Sequence, residues 1–175
     1  MRPTRPRSTA SGLQSTKVRF IAPTVPPRTR RAGQRELETA KPIRVAEQVA
    51  EYEASGGTKA NTLRETGIPI IIFTTVGRKS GKVRKVPLMR VEHEGQYALV
   101  ASKGGAPEHP GWFYNLEANN TIMMQDGPEP FETTVHQAEG DEYDLWWDRA
   151  VAVFPNYADY KVKAGDRKIP VFITS

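Results

Sequence analysis

Hydrophobic positions recur along the chain with two different periods. Val45, Val49 and Tyr52 fall at i, i+4 and i+7, which is one face of a helix; Pro42 suits its first turn and Ser55-Gly56-Gly57 its stop. Residues 68–75 (IPIIIFTT) are β-branched and almost wholly apolar, as expected of a strand buried on both faces. Residues 85–91 and 96–102 read as two more strands, joined by a hairpin turn over 92–95. Residues 112–118 read as a helix opened by Pro110, 121–125 as a short strand, Asp126-Gly127-Pro128 as a turn and 131–137 as a strand. Residues 141–154 read as a helix whose broad apolar face holds Leu145, Trp146, Trp147 and Ala152, with Pro155 ending it. Residues 169–174 (IPVFIT) close the chain as a strand.

The links between strands are mostly too short for parallel crossovers. The order therefore predicts an α+β fold: an antiparallel sheet with helices to one side, curled into a small barrel. No repeat of 20–50 residues is visible.

Residues 1–40 lack any sustained period and are rich in Arg, Pro, Ser and Thr. Such a segment buries too little apolar surface to offset its ordering entropy, so it reads as a disordered basic arm preceding a domain over 41–175. No apolar stretch of secretory-signal length follows its basic start, although its composition overlaps that of organelle transit peptides.

Charge divides at the same place. Residues 1–44 hold 11 Lys and Arg against Glu36 and Glu38, a net of +9, whereas residues 45–175 hold 14 against 18 Asp and Glu, a net of −4. The alkaline balance of the whole 175-residue chain thus belongs to the arm, and is no argument for specific nucleic-acid binding by the domain. The absence of cysteine excludes disulfides, thiolate metal centres and thiol catalysis. No apolar run approaches the roughly 20 residues of a membrane-spanning helix. His93, His109 and His136 are scattered without metal-ligand spacing, so no metal site is expected.

Against that acidic domain, TTVGRKSGKVRK (74–85) stands out, with Arg78, Lys79, Lys82, Arg84 and Lys85 within eight positions. Gly77 and Gly81 let backbone approach an anion, and Ser80 adds a hydroxyl. It is not a phosphate-binding loop of the nucleoside-triphosphatase type: three residues rather than four separate the glycines, and Lys82 precedes Val83. A second glycine-rich basic turn, ASKGGA (101–106), ends the 96–102 strand and precedes His109 and Pro110. A serine-hydrolase reading fails there for want of a nucleophile elbow. A third stretch, FPNYADY (154–160), sets Tyr157 and Tyr160 three apart, where phenols can pack or can stack on a planar ring and donate a hydrogen bond.

Taken together, FTTVGRKSGKVRKVPLMR, VASKGGAPEHPGWFYNLEAN, FPNYADY and the closing DRKIPVFI resemble the deazaflavin-dependent nitroreductase family. The resemblance runs from about Val45 to Thr174. It implies a split β-barrel and coenzyme F-420, an 8-hydroxy-5-deazaflavin with an acidic tail; FMN is the alternative on the same barrel. It places Arg78, Lys79, Ser80 and Arg84 at the phosphate and tail, and Pro87 and Met89 beside the ring. Ala101, Ser102 and Lys103 line the ring's face and edge, and Pro110, Gly111, Trp112, Phe113 and Asn115 complete the groove. Ser102, Tyr157 and Tyr160 face the substrate as the catalytic candidates. Phe154 departs from the family, which often has tyrosine there, and Asn120 stands where proline is common.

The activity so implied is hydride transfer from the reduced deazaflavin to an electron-poor acceptor, a quinone or a nitro-aromatic, with a proton following from solvent or Tyr157. Rival readings are a non-catalytic deazaflavin carrier, an FMN reductase, and nucleic-acid binding through the arm and the basic loop over 78–85. The expected location is cytoplasmic, with peripheral contact at the inner face of the membrane supported by the arm.

Overall fold

The computed structural model describes residues 44–175. The reading of residues 1–40 as a disordered arm lies outside them. In chain order the elements are α1 (Val45–Ala54), β1 (Ile70–Val76), β2 (Val83–Met89), β3 (Glu92–His93), β4 (Gln96–Val100), α2 (Gly111–Ala118), β5 (Thr121–Gln125), β6 (Pro130–Gln137), α3 (Gly140–Val153), α4 (Asn156–Lys163) and β7 (Val171–Thr174). The strands form one curled sheet in the order β2-β1-β5-β6-β7-β4-β3, antiparallel at every pairing. The expected antiparallel sheet is therefore present, curled into a half-barrel.

Strand β1 is apolar on both faces because it separates two packed layers. Ile71 and Phe73 join Leu99, Leu116, Ile122 and Met124 on one side. Ile70 and Ile72 meet Val49 and Tyr52 of α1 on the other. Val45 does not share that role: it is 58% exposed, and the packed face of α1 begins one turn later, at Val49. The last strand enters the middle of the sheet, with Val135 opposite Thr174 on one side and Ala98 opposite Ile173 on the other, so all four of its residues are buried.

Helix α3 buries Tyr143, Trp146, Trp147 and Ala150. Leu145 and Ala152, expected on that face, are exposed, Leu145 by 51%. At 100° per residue Leu145 lies about 200° from Trp147, and the two indoles decide which side turns inward. Pro155 ends α3 as expected, but it also stands at the N-cap of α4, a helix the sequence pattern did not reveal. One end of the curl is tied by charge. Arg90 Nε donates to Asp126 at 2.6 Å and the Tyr97 hydroxyl donates to the same carboxylate oxygen at 2.9 Å. Burial first, then the Asp126 carboxylate, pushes the Tyr97 phenol up to about 12.

Candidate functional site

The basic stretch forms the loop between β1 and β2. The Gly77 N–H donates to the Lys82 carbonyl at 2.8 Å, and the N–H groups of Ser80 and Gly81 both donate back to the Gly77 carbonyl, at 3.1 and 2.8 Å. Glycine eases the turn's start: a Cβ on Gly77 would lie 2.7 Å from Ser80 Oγ, which rotation of that exposed side chain relieves, and 3.3 Å from the Lys82 carbonyl. The loop is pinned to α2. The Arg78 N–H donates to Asn115 Oδ1 at 3.0 Å, and the Arg78 guanidinium sits 5.0 Å from the centre of the Tyr114 ring.

Between loop and helix lies an open cavity of about 440 Å³. Arg78, Lys79, Ser80 and Arg84 line one side, and Gly111, Trp112 and Asn115 the other. Lys85 also borders it but is paired with Glu53 at 2.5 Å. Among the described residues, no ion pair includes Arg78, Lys79, Lys82 or Arg84. Pro110 is the N-cap of α2, so the first free amides of that helix add positive potential to the same space. A polyanion fits this arrangement, because uncommitted cations and a helix N-terminus converge on one cavity.

The structure thus brings together Arg78, Lys79, Ser80, Arg84, Gly111, Trp112 and Asn115, seven of the residues singled out in the sequence. It places others elsewhere. Ala101 and Phe113 have their side chains in the core, and Pro110 is buried. Pro87 and Met89 are half-buried further along β2, Met89 against the cluster that contains Tyr157 and Tyr160.

The second glycine-rich turn follows β4. Lys103, Gly104 and Gly105 take positive φ in succession, at 48°, 63° and 75°. Gly105 touches α4: a Cβ there would lie 2.7 Å from the Tyr160 carbonyl. Ser102 is 8% exposed, and its hydroxyl has no hydrogen-bond partner among the described residues. The Lys103 ammonium donates to Glu108 at 3.0 Å.

Two residues missed in the sequence reading hold this region. Arg167, in the segment between α4 and β7, donates from Nε to the Ala106 carbonyl at 2.8 Å and from Nη2 to the Ser102 carbonyl at 2.7 Å. Tyr114 supports the Arg78 guanidinium and meets the His109 ring edge-on, with centroids 6.2 Å apart. The only sequence signal for Arg167 was its place in the DRKIPVFI motif.

The two tyrosines differ. Tyr157 is 1% exposed, packed against Trp147, Phe154 and Tyr160, and burial raises its pKa far above the ordinary phenol value. Tyr160, on the same helix, is half-buried. Phe154 meets Tyr157 edge-on at 5.1 Å and closes the same cluster.

A curled antiparallel sheet beside a polycation-lined cavity defines a class: a split-barrel domain with a site for a polyanionic ligand. Residues 44–175 match the family described as F420H(2)-dependent quinone reductase, and the chain belongs to that family. A quinone reductase of Mycobacterium tuberculosis named for the same reduced cofactor is 32% identical over 108 residues, 60% of this chain and 72% of that one. A second, described as a putative enzyme of that kind from the same species, is 30% identical over 106 residues, 61% and 88% of the two chains. A solved F420-H2 dependent reductase is 54% identical with a TM-score of 0.58, covering 61% of this chain and 94% of that one. A solved domain-swapped dimer is 47% identical with a TM-score of 0.61, covering 74% and 93%. Among the described residues no helix is long and apolar enough to cross a membrane.

Proposed function

We propose that this chain passes a hydride from reduced coenzyme F-420 to a quinone. The observation that carries the reading is the cavity where Arg78, Lys79 and Arg84, free of ion pairs among the described residues, face the N-terminus of α2. The acidic tail and phosphate of the cofactor need that set of donors. Bound there, the reduced deazaflavin supplies a two-electron donor.

The protein's own part is binding, orientation and proton supply. Arg78, Lys79, Ser80 and Arg84 hold the tail, with the amides of Gly111 and Trp112 at the phosphate. Ala101, Ser102 and Lys103 form the backbone wall along the ring, joined by Pro87, Met89, Pro110 and Phe113 as the groove's supporting residues. Asn115 fixes the loop. The unpartnered Ser102 hydroxyl orients the acceptor. The Tyr160 hydroxyl, on the more exposed of the two phenols, donates the proton that follows the hydride, and Tyr157 backs it from the core.

The test mixes the purified chain with reduced coenzyme F-420 and menadione without oxygen, and follows the return of the oxidised cofactor's absorbance. Return well above the protein-free rate supports the reading. Saturable binding without turnover makes the chain a carrier, and a yellow protein as purified points to FMN. A nitro-aromatic in place of menadione asks whether the acceptor site extends to that class.

A further inference from the structure

Arg167 makes all its hydrogen bonds to neutral groups. Its guanidinium donates to the carbonyls of Ala106 (2.8 Å), Ser102 (2.7 Å) and Ala101 (3.2 Å), and Nη1 lies 3.2 Å from His109 Nδ1. None of the ion pairs among the described residues includes it. A guanidinium has donors only, so Nδ1 of His109 accepts, and the imidazole proton sits on Nε2. The His109 ring in turn stacks on Phe113, with centroids 4.2 Å apart and planes 22° apart, and meets Tyr114 edge-on. Tyr114 carries the Arg78 guanidinium on its face. One run of direct contacts therefore joins the Ser102 carbonyl to the basic loop.

The segment so held has few bonds of its own: the Gly105 N–H donates to the Ser102 carbonyl at 3.0 Å and the Ala106 N–H to the Lys103 carbonyl at 3.2 Å. Three consecutive residues at positive φ, Lys103 to Gly105, interrupt the backbone after β4. Beyond Ala101, whose N–H donates to the Pro170 carbonyl at 2.8 Å, no strand pairing orders it, and three charge-assisted bonds from one planar group tie the carbonyls of Ala101, Ser102 and Ala106 together.

We propose that Arg167 is a positioning residue of the reaction: it fixes the wall formed by Ala101 and Ser102 and, through the neutral Nε2-protonated tautomer of His109, the spacing between that wall and α2. The inference rests on the deazaflavin reading above. Hydride transfer is sensitive to placement on the scale of an ångström, where a misplacement costs on the order of 100-fold in rate. On that reading the larger part of cofactor affinity comes from the tail's partners, the cations of the 77–82 loop and Arg84.

The test compares the full chain with Arg167→Met and Arg167→Lys. Nitrogen NMR of His109 in cofactor-free protein reads the tautomer, fluorescence titration reads the affinity for oxidised coenzyme F-420, and a single-turnover mix with menadione reads hydride transfer. The expected result for Arg167→Met is a mixed His109 tautomer, affinity within about threefold of wild type, and transfer slowed by about 10–100-fold. Arg167→Lys, which keeps the charge and part of the donor set, recovers some of that rate. Unchanged transfer in Arg167→Met, while the wild type binds and turns over, overturns the inference alone. Absence of cofactor binding by the wild type overturns the reading beneath it and the inference with it. Loss of a cooperative melt in both variants assigns Arg167 to the fold and overturns the positioning role.

Discussion

The backbone N–H of Arg78 donates to the side-chain carbonyl of Asn115 at 3.0 Å, across 37 residues of chain. That bond sets the distance between the basic loop and the N-terminus of α2, the two walls of the cavity. Asn115 is 8% exposed, but its partner Arg78 is an exposed residue on the rim of the open cavity, so water can take the place of a lost acceptor. Asn115→Ala is expected to destabilise the chain by about 0.5–1.5 kcal/mol, the net worth of one hydrogen bond, and to weaken cofactor binding. Asn115→Asp keeps the acceptor but sets an anion in the cavity. It should weaken binding more than the alanine change while melting closer to wild type. Fluorescence titrations and thermal melts on both variants separate anchoring from charge; equal affinities in the two would remove the electrostatic account of the cavity.

The cations themselves give a second expectation. Arg78, Lys79 and Arg84 face a shared space without carboxylate partners among the described residues. Charge reversal at Arg84 or Lys79 should raise the dissociation constant of coenzyme F-420 and reduce its dependence on salt, because exposed charges act through a screened field. Lys85→Glu breaks the pair with Glu53 instead, and should change stability more than affinity. A titration series in sodium chloride checks both.

How much of this was legible in sequence follows the range of the interactions. The two-sided burial of β1 was readable because six consecutive residues, Ile68 to Phe73, are Ile, Pro or Phe. The basic loop was readable because its cations are adjacent. Arg167 was not, since its partners lie 58–66 residues away and nothing local distinguishes it from a solvated arginine. The interior place of β7 was hidden for the same reason. The face of α3 was misjudged by counting apolar residues, when the bulk of Tyr143, Trp146 and Trp147 turns Leu145 outward. Helix α4 was missed because only one of its residues, Tyr157, is fully buried, which leaves little periodicity to see.

His109 links stability to pH. Burial first, then the Arg167 charge, lowers its pKa below the ordinary value. The unfolded chain therefore binds a proton more readily than the folded one. Stability from this group is complete above about pH 6.5 and declines as pH falls from there towards the folded pKa. Melting temperatures measured from pH 7.5 to 5 should drop less steeply in His109→Gln than in wild type. Parallel slopes would show that other groups carry the acid limb.

Gly104 and Gly105 share a backbone conformation but not surroundings. Both have positive φ, at 63° and 75°, yet a Cβ on Gly104 meets nothing within 4 Å, while one on Gly105 meets the Tyr160 carbonyl at 2.7 Å and Lys163 Cβ at 2.9 Å. Gly104→Ala should cost about 1–2 kcal/mol from left-handed backbone alone. Gly105→Ala adds a clash with α4 backbone and should cost visibly more. Because α4 carries Tyr160, that second variant should also slow turnover with menadione. Urea melts and steady-state rates on the pair test whether the close approach of turn and helix is needed.

Tyr157 and Tyr160 lie one turn apart on α4, with ring centroids 6.3 Å apart, but only Tyr160 has appreciable exposure. The phenol of Tyr157, held far above its ordinary pKa by burial, keeps its proton throughout the working range, so ionisation of Tyr157 should leave no limb in the pH–rate profile. Tyr160→Phe removes the hydroxyl of the half-buried phenol and should lower turnover while leaving cofactor affinity and melting temperature near wild type. Tyr157→Phe keeps the packing against Trp147 and Phe154 and should have the smaller effect on rate. Tyr157→Ala opens a cavity in the core and should destabilise by about 3–5 kcal/mol, as large-to-small changes of buried aromatic residues do. If Tyr157→Phe slows hydride transfer more than Tyr160→Phe at unchanged affinity, the buried phenol reaches the acceptor and the roles given to the two residues must be exchanged.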